Sequence, residues 1–468
     1  MRPRRTDAPA PGDLPPGRSA AGRADPVVAA IRAALADLPA MPGIVVALSG
    51  GRDSMVLLDA LCALTRLPGS PAPALRAVHV HHGLSPHADD WAGFCAAECG
   101  RRGVPLEVRR VEVPRQPGAS LEATARAARY AALAAAAGAA PVALAHHADD
   151  QAETVLLQLL RGAGPLGLAA MPSSHAAAGA TFFRPLLPLP RAAIDAYAAA
   201  RGVAWIDDES NADTGIRRNF LRHEIAPRLA GAFAGYPSTL ARSAAHSAEA
   251  AMLLDELAAL DAGAAVAADA DGWPTLLRAA LAALSPPRAR NVLRWFVRRT
   301  GLPLPSAARL AAMHAQFVRA APDAQVRIVH AGVEFGLHRG RIAIHPVVPA
   351  PYAVGWQGES ELGLPHGILA FAPVAGAGLS AALLAAGTVV VRPRAGGERI
   401  RLAGDRPRHA VRRLLQQAGM PAWQRDGWPL VWCGDTLAAV PGIGVAAGFA
   451  AEAAGRGYAL SWHPAAFK

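Results

Sequence analysis

Short apolar runs alternate with helical segments over the first half of the chain, from Asp25 to about Leu229. The apolar runs predict β-strands, and the segments between them, whose apolar residues recur every three or four positions, predict α-helices. Strands joined by crossover helices pair in parallel and are covered by helices on both faces. A ligand of such a sheet binds at the carboxyl ends of the strands. The predicted strands are Ile44–Leu48, Leu75–Val80, Leu106–Val111 and Val142–Ala145, and the predicted helices are Ser54–Thr65, Asp89–Arg102, Leu121–Ala137 and Asp150–Arg161.

The composition of the remaining sequence indicates where further domains begin and end. An alanine- and leucine-rich stretch after Tyr236 is followed by two segments with helical spacing, Pro286–Arg299 and Ser306–Phe317. The closely spaced prolines of residues 346–351 cannot continue a helix or a central strand. We therefore expect a disordered tail at 1–25, a first domain with a Rossmann-like parallel sheet at 26–229, a mainly helical middle domain at 236–345, a linker region at 346–385 and a small α+β domain at 386–468.

The charge and the residue usage exclude several classes of protein. The net charge is +11 and the pI is about 10.5, which favours a polyanionic partner such as nucleic acid. The only lysine is Lys468, so mechanisms that need an internal lysine, such as the P-loop lysine or a Schiff base, are excluded. Four cysteines without a C-x-x-C pair predict neither a disulfide scaffold nor a zinc site. Without a long apolar run or a signal-peptide pattern, we expect a cytoplasmic protein that does not enter a membrane.

A glycine turn follows the first predicted strand, in the sequence Ser49-Gly50-Gly51-Arg52-Asp53-Ser54. Two glycines let the backbone approach an anion, the serines add hydroxyl donors, and the helix that follows presents free amide groups. These features predict a phosphate-binding loop. A carboxylate beside bound phosphate is favourable when a cation lies between them, so Asp53 is a candidate Mg²⁺ ligand. The alternative is that Asp53 only caps the helix.

A second polar run, His146 to Thr154, follows the fourth predicted strand. Asp149, Asp150 and Glu153 have spacings that place carboxylates on one helix face, while the opposite face is apolar. A helix cap accounts for part of this pattern, and a zinc site formed by both histidines and both aspartates is a further alternative. We favour a ligand-binding acidic face. Arginines that accompany these motifs are candidates for contacts with phosphate or bases: Arg126, Arg129 and Arg161.

The motifs together resemble one family. They are SGGRDS (49–54), HVHHGLS (79–85), EATARAARY (122–130), HHADDQAETVLLQLLRG (146–162), WIDDESN (205–211) and RRNFLR (217–222), and they resemble the bacterial tRNA(Ile)-lysidine synthetases in order and spacing. Near the carboxyl terminus, RRLL (412–415) and PAWQRD (421–426) look like the final domain of that family. Arg52, at a variable loop position, and the His81-His82 pair depart from many relatives. Without the resemblance, WIDDESN and RRNFLR have a simpler interpretation as a surface turn and a helix.

The resemblance implies a PP-loop ATP pyrophosphatase that uses ATP and Mg²⁺. It would adenylate C2 of the wobble cytidine of a tRNA(Ile) with a CAU anticodon, and free lysine would then displace AMP to give lysidine. Homodimerisation is also implied. The implied site residues are Ser49, Gly50, Gly51, Arg52 and Ser54 for the nucleotide, Asp53 for the metal, Asp150 and Glu153 for lysine, with Asp149, His147 and Arg161 beside them, and Arg126, Arg129, Asn219, Arg222, Arg412 and Arg413 for tRNA.

Two other classes of protein remain as alternatives. A tRNA thiolation enzyme shares the loop, but this chain has no cysteine pair to carry sulfur. A noncatalytic RNA-binding protein would have no need of Asp53 or of the acidic helix.

Overall fold

The computed structural model describes residues 25–39, 41–65, 73–83, 85–114, 121–269, 272–321, 324, 326–347, 351–402 and 407–465. The chain forms two compact units, Met1–Met252 and Leu253–Lys468. The predicted tail, apart from Asp25, lies outside the described residues. None of the helices in the described ranges combines the length and apolar character needed to cross a membrane.

The first unit alternates strands and helices, as predicted. Its elements are α1 (Pro26–Ala36), β1 (Gly43–Ala47), α2 (Arg52–Thr65), β2 (Ala74–His81), α3 (Ala88–Arg102), β3 (Leu106–Arg110), α4 (Leu121–Ala137), β4 (Val142–Ala143), α5 (Ala148–Leu160), α6 (Pro165–Leu168), β5 (Ser174–Ala177), β6 (Ala180–Phe183), α7 (Arg191–Arg201), α8 (Arg217–Phe220) and α9 (Ala226–Ala232). A 3-10 turn covers Glu209–Ala212, and one π-helical turn, Leu221–Ile225, joins α8 to α9. Helix α10 (Tyr236–Ala262) follows and contains the boundary between the two units.

The first unit is built on a six-stranded sheet with the order β3-β2-β1-β4-β6-β5. The first five strands in this order pair in parallel, which confirms the predicted sheet. The edge strand β5 is antiparallel to β6 and was not predicted. A tight turn at Ala178-Gly179, where both residues have positive φ, makes this hairpin.

Strand β1 lies at the centre of the sheet and is buried on both faces. Val46 packs with Leu57 and Leu61 of α2, whereas Val45 packs on the other face with Leu133 of α4. A run of consecutive β-branched residues suits a strand covered by helices on both sides. This burial fixes the end of β1, and therefore the glycine loop that follows it, relative to β4.

The second unit contains more strands than the sequence predicted. Its elements after α10 are β7 (Val266–Ala268), β8 (Pro274–Leu277), α11 (Arg278–Ala282), α12 (Pro286–Arg299), α13 (Ala307–Arg319), β9 (Arg327–His330), β10 (Val333–His338), β11 (Arg341–Pro346), β12 (Val354–Trp356), β13 (Glu361–Leu364), β14 (Gly367–Ala375), β15 (Leu379–Ser380), α14 (Ala381–Ala385), β16 (Val389–Pro393), β17 (Arg399–Ile400), β18 (His409–Ala410), α15 (Val411–Gln417), α16 (Ala422–Gly427), β19 (Pro429–Cys433), β20 (Thr436–Val440), β21 (Gly444–Val445) and β22 (Arg456–Pro464).

The middle region combines the predicted helices with an antiparallel sheet. Helices α12 and α13 lie where the helical spacing placed them. They pack on a five-stranded sheet of order β7-β8-β11-β10-β9, through buried side chains that include Phe296, Phe317 and Phe335. These strands have three to six residues each, too short for periodicity to reveal among alanine-rich helices.

The interpretation of residues 346–385 as a linker region is wrong for the part that the structure describes. Strand β12 pairs with β16, and β13, β14 and β15 form a second sheet with β22. Leu369 and Phe371 of β14 are buried in the hydrophobic core that these strands share. Strand β14 pairs with β22 from Gly367↔Pro464 to Ala375↔Arg456, almost a hundred residues away. A strand whose pairing partner lies far along the chain leaves little signal in its own sequence. The proline-rich run indicates only the end of the preceding domain.

Candidate active site

The glycine loop and the acidic helix meet at one edge of the sheet because β1 and β4 are parallel neighbours. The glycine loop follows β1, and His147 starts α5 after β4. Nε2 of His147 lies 3.6 Å from Oδ2 of Asp53. The expectation that both motifs lie at carboxyl ends of strands is therefore confirmed, and the structure adds that they contact each other.

The loop backbone is held open by Gly50 and by the two serine side chains. Gly50 has φ of 86°, and a Cβ there would lie 2.8 Å from Cδ1 of Ile206. The Gly50 carbonyl accepts a 3.0 Å hydrogen bond from the Ile206 amide, so the WIDDESN segment helps to fix the position of the loop backbone. Ser54 Oγ donates to the Gly51 carbonyl at 2.8 Å, and Ser49 Oγ lies 3.1 Å from Ser54 Oγ. The two serine hydroxyl groups thus hold the conformation of the phosphate-binding loop as well as lining it.

Asp53 points from the first turn of α2 towards His147. Burial alone would raise the pKa of Asp53, but the hydrogen bond and positive charge of His147, with Arg52 and Arg191 nearby, lower that pKa to about 2. Arg52 contacts Asp53 at 3.3 Å and also pairs with Asp195. Within the described ranges, no backbone amide donates to the Asp53 carboxylate. The helix-cap alternative for this residue therefore has no hydrogen bond to support it.

His147 is a buried imidazole surrounded by carboxylates. Burial alone would lower the pKa of His147, but Asp149, Asp53 and Asp150 together raise it to about 10. Its nitrogens lie 3.5 to 3.6 Å from oxygens of all three aspartates. The Asp149 amide also points at Nδ1, at 3.3 Å, a contact that requires Nδ1 to be unprotonated. Three carboxylates outweigh one long amide contact, so we describe His147 as an imidazolium.

The two carboxylates predicted to bind lysine are already paired with arginines. Arg218 Nε donates to Glu153 Oε2 at 2.7 Å, and Arg222 Nε donates to Glu153 Oε1 at 2.6 Å. Asp150 Oδ1 accepts from Nη2 of Arg218 at 3.2 Å and from Nη2 of Arg222 at 3.1 Å. Asp150 is 8% exposed and Glu153 is 5% exposed. We call Asp150, Glu153, Arg218 and Arg222 the ion cluster.

The helix cap accounts for only part of this acidic helix. Asp150 Oδ2 accepts from the His147 amide at 3.0 Å, so that oxygen does cap α5. Asp149 lies outside the ion cluster, and its Oδ2 accepts from the Arg191 amide at 2.8 Å. Burial would raise the pKa of Asp149, and the contacts with His147 and Arg191 lower it. Glu153 takes no part in the cap. The cap and the acidic face are therefore both present.

A group of arginines without carboxylate partners lies beside the acidic helix. Arg126 donates to the Tyr130 hydroxyl at 3.1 Å, and its guanidinium lies over the Tyr130 ring. Among the described residues, the side chain of Arg184, which is 4% exposed, hydrogen-bonds to neutral groups: the Pro172 carbonyl, Tyr130, His146 and His175. We call Arg126, Arg129 and Arg184 the basic cluster.

Burial and mutual repulsion lower the pKa of two members of the basic cluster, Arg129 and Arg184. In the part of the chain that the structure describes, no carboxylate lies within ion-pair distance of these arginines. His146 beside them is held neutral, since burial lowers its pKa to about 3 despite the nearby Asp150 charge. Uncompensated buried guanidinium groups favour an anion.

A cleft of about 470 Å³ lies next to the ion cluster. One wall is formed by Asp207, Asp208 and Glu209 of WIDDESN and the other by Arg222 and His223 after α8, so both motifs contribute to this cleft. The cleft is lined by Arg191, Asp207, Asp208, Glu209, Ala212, Arg222 and His223.

The remaining predicted residues lie elsewhere. Asn219 is buried and donates to the Asp213 carbonyl at 2.9 Å, so it holds its own turn. Arg161 is exposed at the far end of α5, about 16 Å along the helix from Asp150. Arg412 and Arg413 are exposed on α15 in the second unit.

Sequence reasoning missed Arg184 and Arg218. Arg218 lies within RRNFLR beside two predicted residues, and its spacing of four from Arg222 was the available signal. Arg184 carries no pattern beyond its place after an apolar strand.

The Asp53 carboxylate would suit a magnesium ion that is held mainly by substrate. Among the residues that the structure describes, no group of three histidine, cysteine, aspartate or glutamate side chains surrounds a common metal position. Mg²⁺ commonly uses one or two protein carboxylates together with phosphate oxygens and water. The Asp53 side chain is 33% exposed beside the phosphate loop, which suits this mode of binding.

Comparison with known proteins places similar sequences in one family. Family models match residues 26–229 (PP-loop domain), 276–343 (TilS substrate binding domain) and 389–462 (TilS substrate C-terminal domain). The tRNA(Ile)-lysidine synthase of Nitrosomonas europaea is 41% identical, over 90% of this chain and 91% of the relative. The enzymes of the same name from an Azoarcus species and from Burkholderia pseudomallei are 44% and 42% identical, over 90% and 96% of this chain and 91% and 99% of their own lengths.

Proposed function

Because the chain belongs to the tRNA(Ile)-lysidine synthase family, we propose that it joins lysine to the wobble cytidine of tRNA(Ile) with a CAU anticodon. In the first step, the C2 oxygen of the cytidine attacks the α-phosphate of ATP, and pyrophosphate leaves. In the second step, the ε-amine of lysine attacks C2, and AMP leaves with the former C2 oxygen. The product is lysidine.

The observation that carries this proposal is the meeting of a phosphate loop with an acidic helix across two adjacent parallel strands. ATP cleavage between the α- and β-phosphates builds negative charge on the departing pyrophosphate. The glycine loop and the amino terminus of α2 present amide donors to that charge. The acidic helix presents negative charge, which suits a cationic second substrate.

Asp53 would hold Mg²⁺, which when bound offsets negative charge on the phosphates. His147 sets the orientation of Asp53 through its Nε2 contact and keeps the carboxylate ionised. The nearby Arg191 adds positive charge on the same side.

Asp150 and Glu153 would bind the ammonium of the incoming lysine. A carboxylate that binds an ammonium is also placed to accept a proton from it, as attack on C2 requires. Which carboxylate accepts the proton is decided by how the lysine lies in the cleft.

The basic cluster would hold the phosphates that flank the flipped wobble base, because its arginines lack carboxylate partners. Proteins usually read single-stranded RNA through bases turned out of the stack. The exposed Arg412 and Arg413 would contact the tRNA backbone without reading its sequence. We also propose a cytoplasmic homodimer, as the family resemblance implies.

Incorporation of radiolabelled lysine tests this function directly. Purified protein with ATP, Mg²⁺ and tRNA(Ile) bearing cytidine 34 should attach lysine and release an equal amount of pyrophosphate. The same tRNA with uridine 34 should give neither product. Release of ADP and orthophosphate instead would contradict the proposed cleavage.

The thiolation alternative has no support from the cysteines. Cys62, Cys95 and Cys99 are buried, and burial raises the pKa of Cys95 to about 12 and of Cys99 to about 11, while Cys433 on β19 is partly exposed. Neutral, inaccessible thiols are poor sulfur carriers. Turnover that needs sulfide and proceeds without lysine would nevertheless favour that alternative.

A further inference from the structure

The ion cluster is complete without any substrate. Both oxygens of Glu153 accept from guanidinium groups, Asp150 Oδ1 accepts from both arginines, and Asp150 Oδ2 accepts from the His147 amide. The two negative charges are matched by two guanidinium charges, and the His147 imidazolium lies 3.5 Å from Asp150 Oδ2 as well. All four carboxylate oxygens are therefore in use in the resting protein.

A third cation cannot simply be added to this cluster. The carboxylates are buried, and the arginine side chains are only about one quarter exposed. An extra ammonium would add an uncompensated positive charge at a site of low dielectric, which is unfavourable unless another cation leaves. A lysine ammonium that binds Asp150 and Glu153 must therefore displace at least one guanidinium.

The segment that carries the two arginines is held by few apolar contacts. Arg218 lies in the four-residue helix α8, and Arg222 lies in the π-helical turn that follows. Ile216 is 36% exposed and Phe220 is 45% exposed, which leaves Leu221, 5% exposed, as the buried apolar side chain of residues 216–222. Single π-helical turns are frequent at functional sites, and segments with few buried contacts open at low free-energy cost.

The displaced guanidinium groups would have an anion to bind nearby. Arg222 is close enough to the glycine loop for the charge of Asp53 to act on it, whereas the cleft that it lines with Arg191 also contains Asp207, Asp208 and Glu209. Arg218 is close enough to the basic cluster for its charge to act on Arg129. Both side chains therefore lie between the acidic helix and the positions where phosphate would gather.

We propose that Arg218 and Arg222 compete with the lysine ammonium for Asp150 and Glu153, and that lysine binding frees them to bind phosphate of the activated nucleotide. The inference rests on the proposed function and adds a coupling between its two substrates. Such a coupling is reciprocal, so lysine should tighten nucleotide binding and nucleotide should tighten lysine binding.

Removal of one competing arginine should make lysine bind more tightly. If about nine-tenths of molecules hold the ion cluster closed, the apparent Kd for lysine is about tenfold above the intrinsic value. We expect Arg218→Gln to lower the Kd for lysine about tenfold by titration calorimetry, and to slow lysidine formation because the freed guanidinium is missing. Arg217→Gln is the matched control, since Arg217 is exposed, lies in the same helix and makes no ion pair with the described residues.

A ligand control on the unaltered protein provides a second test that does not depend on the folding of a variant. Saturating lysine should tighten binding of an ATP analogue that resists cleavage between the α- and β-phosphates severalfold. Norleucine, which has the same chain without the ε-ammonium, should have no such effect. Equal effects of lysine and norleucine, or no effect of either, would overturn the proposed exchange of arginine for lysine at Asp150 and Glu153.

The outcomes separate this inference from the proposed function. If the unaltered protein makes lysidine but Arg218→Gln binds lysine no more tightly than Arg217→Gln, the arginines are structural or belong to the lysine site, and only the exchange is wrong. If the unaltered protein incorporates no lysine into cytidine-34 tRNA, the proposed function itself is wrong.

Discussion

Single residues of the glycine loop are constrained by backbone geometry as strongly as by chemistry. Gly50 has a positive φ and lies against Ile206, whereas Gly51 has ordinary φ and its nearest neighbour would be 3.5 Å from an added Cβ. The two glycines therefore have different reasons to be glycine. Gly50 is required by the shape of the loop, and Gly51 is suited to the approach of phosphate.

Gly50→Ala should disrupt the loop more than Gly51→Ala. A left-handed backbone costs alanine about 1–2 kcal/mol, and the contact with Ile206 adds to that cost. We expect Gly50→Ala to lower Tm by several degrees and to weaken ATP binding at least about tenfold. Gly51→Ala should keep the Tm within about a degree. Equal Tm values for the two variants would show that the loop geometry tolerates a side chain at Gly50.

Asp53→Asn tests whether this carboxylate serves the metal or the fold. The substitution keeps the size of the side chain and removes its charge. Since no described amide is capped by Asp53, we expect turnover to fall at least about a hundredfold while tRNA binding and the folded state are retained. Melting curves and filter binding of tRNA provide the check. A large loss of folded protein would restore the cap interpretation.

At the scale of elements, a histidine and a tryptophan join β11 to α16 in the second unit. The ring of His345 stacks on Trp423 with 4.5 Å between centroids, and its Nε2 is buried without a hydrogen-bond partner in the described residues. Burial is the main reason that the pKa of His345 falls to about 4. The contact therefore requires a neutral imidazole.

The His345 contact should make the second unit sensitive to acid. The unfolded chain protonates this histidine near pH 6.5 and the folded chain only near pH 4, so the unfolded state binds more protons between these values. The free energy of unfolding should therefore fall as the pH drops from 6.5 to 4, by up to about 3 kcal/mol, and this loss should level off below pH 4. Denaturant unfolding at several pH values, compared with His345→Phe, isolates the effect. An equally steep pH dependence in the variant would assign it to other groups.

At the scale of the whole molecule, the net charge of +11 favours tRNA at long range. Part of the arginine content is neutralised within the fold, as in the ion cluster. Exposed arginines that form no ion pair with the described residues, such as Arg412 and Arg413, are the ones available to a polyanion.

Arg412→Ala and Arg413→Ala should each weaken tRNA binding without changing which base is modified. A phosphate contact contributes about one unit to the slope of log K against log salt, so each substitution should lower that slope by about one. Arg32→Ala on α1, also exposed, is the control with the same change in charge. An unchanged salt slope in the α15 variants would remove that helix from the tRNA interface.

The sequence by itself determined the parallel sheet, the glycine loop, the acidic helix and the family, because each depends on local periodicity or on residues close together in the chain. Only the tertiary structure decided three other features. Strands β13 to β15 are folded because β14 and β15 pair with β22 far along the chain, and β12 is folded because it pairs with β16. Arg184 became part of a basic cluster because β6 ends beside α4 and α5. Asp150 and Glu153 proved to be paired with Arg218 and Arg222, some seventy residues later. Local patterns show which side chains are charged, but their partners are set by distances that exist only after folding.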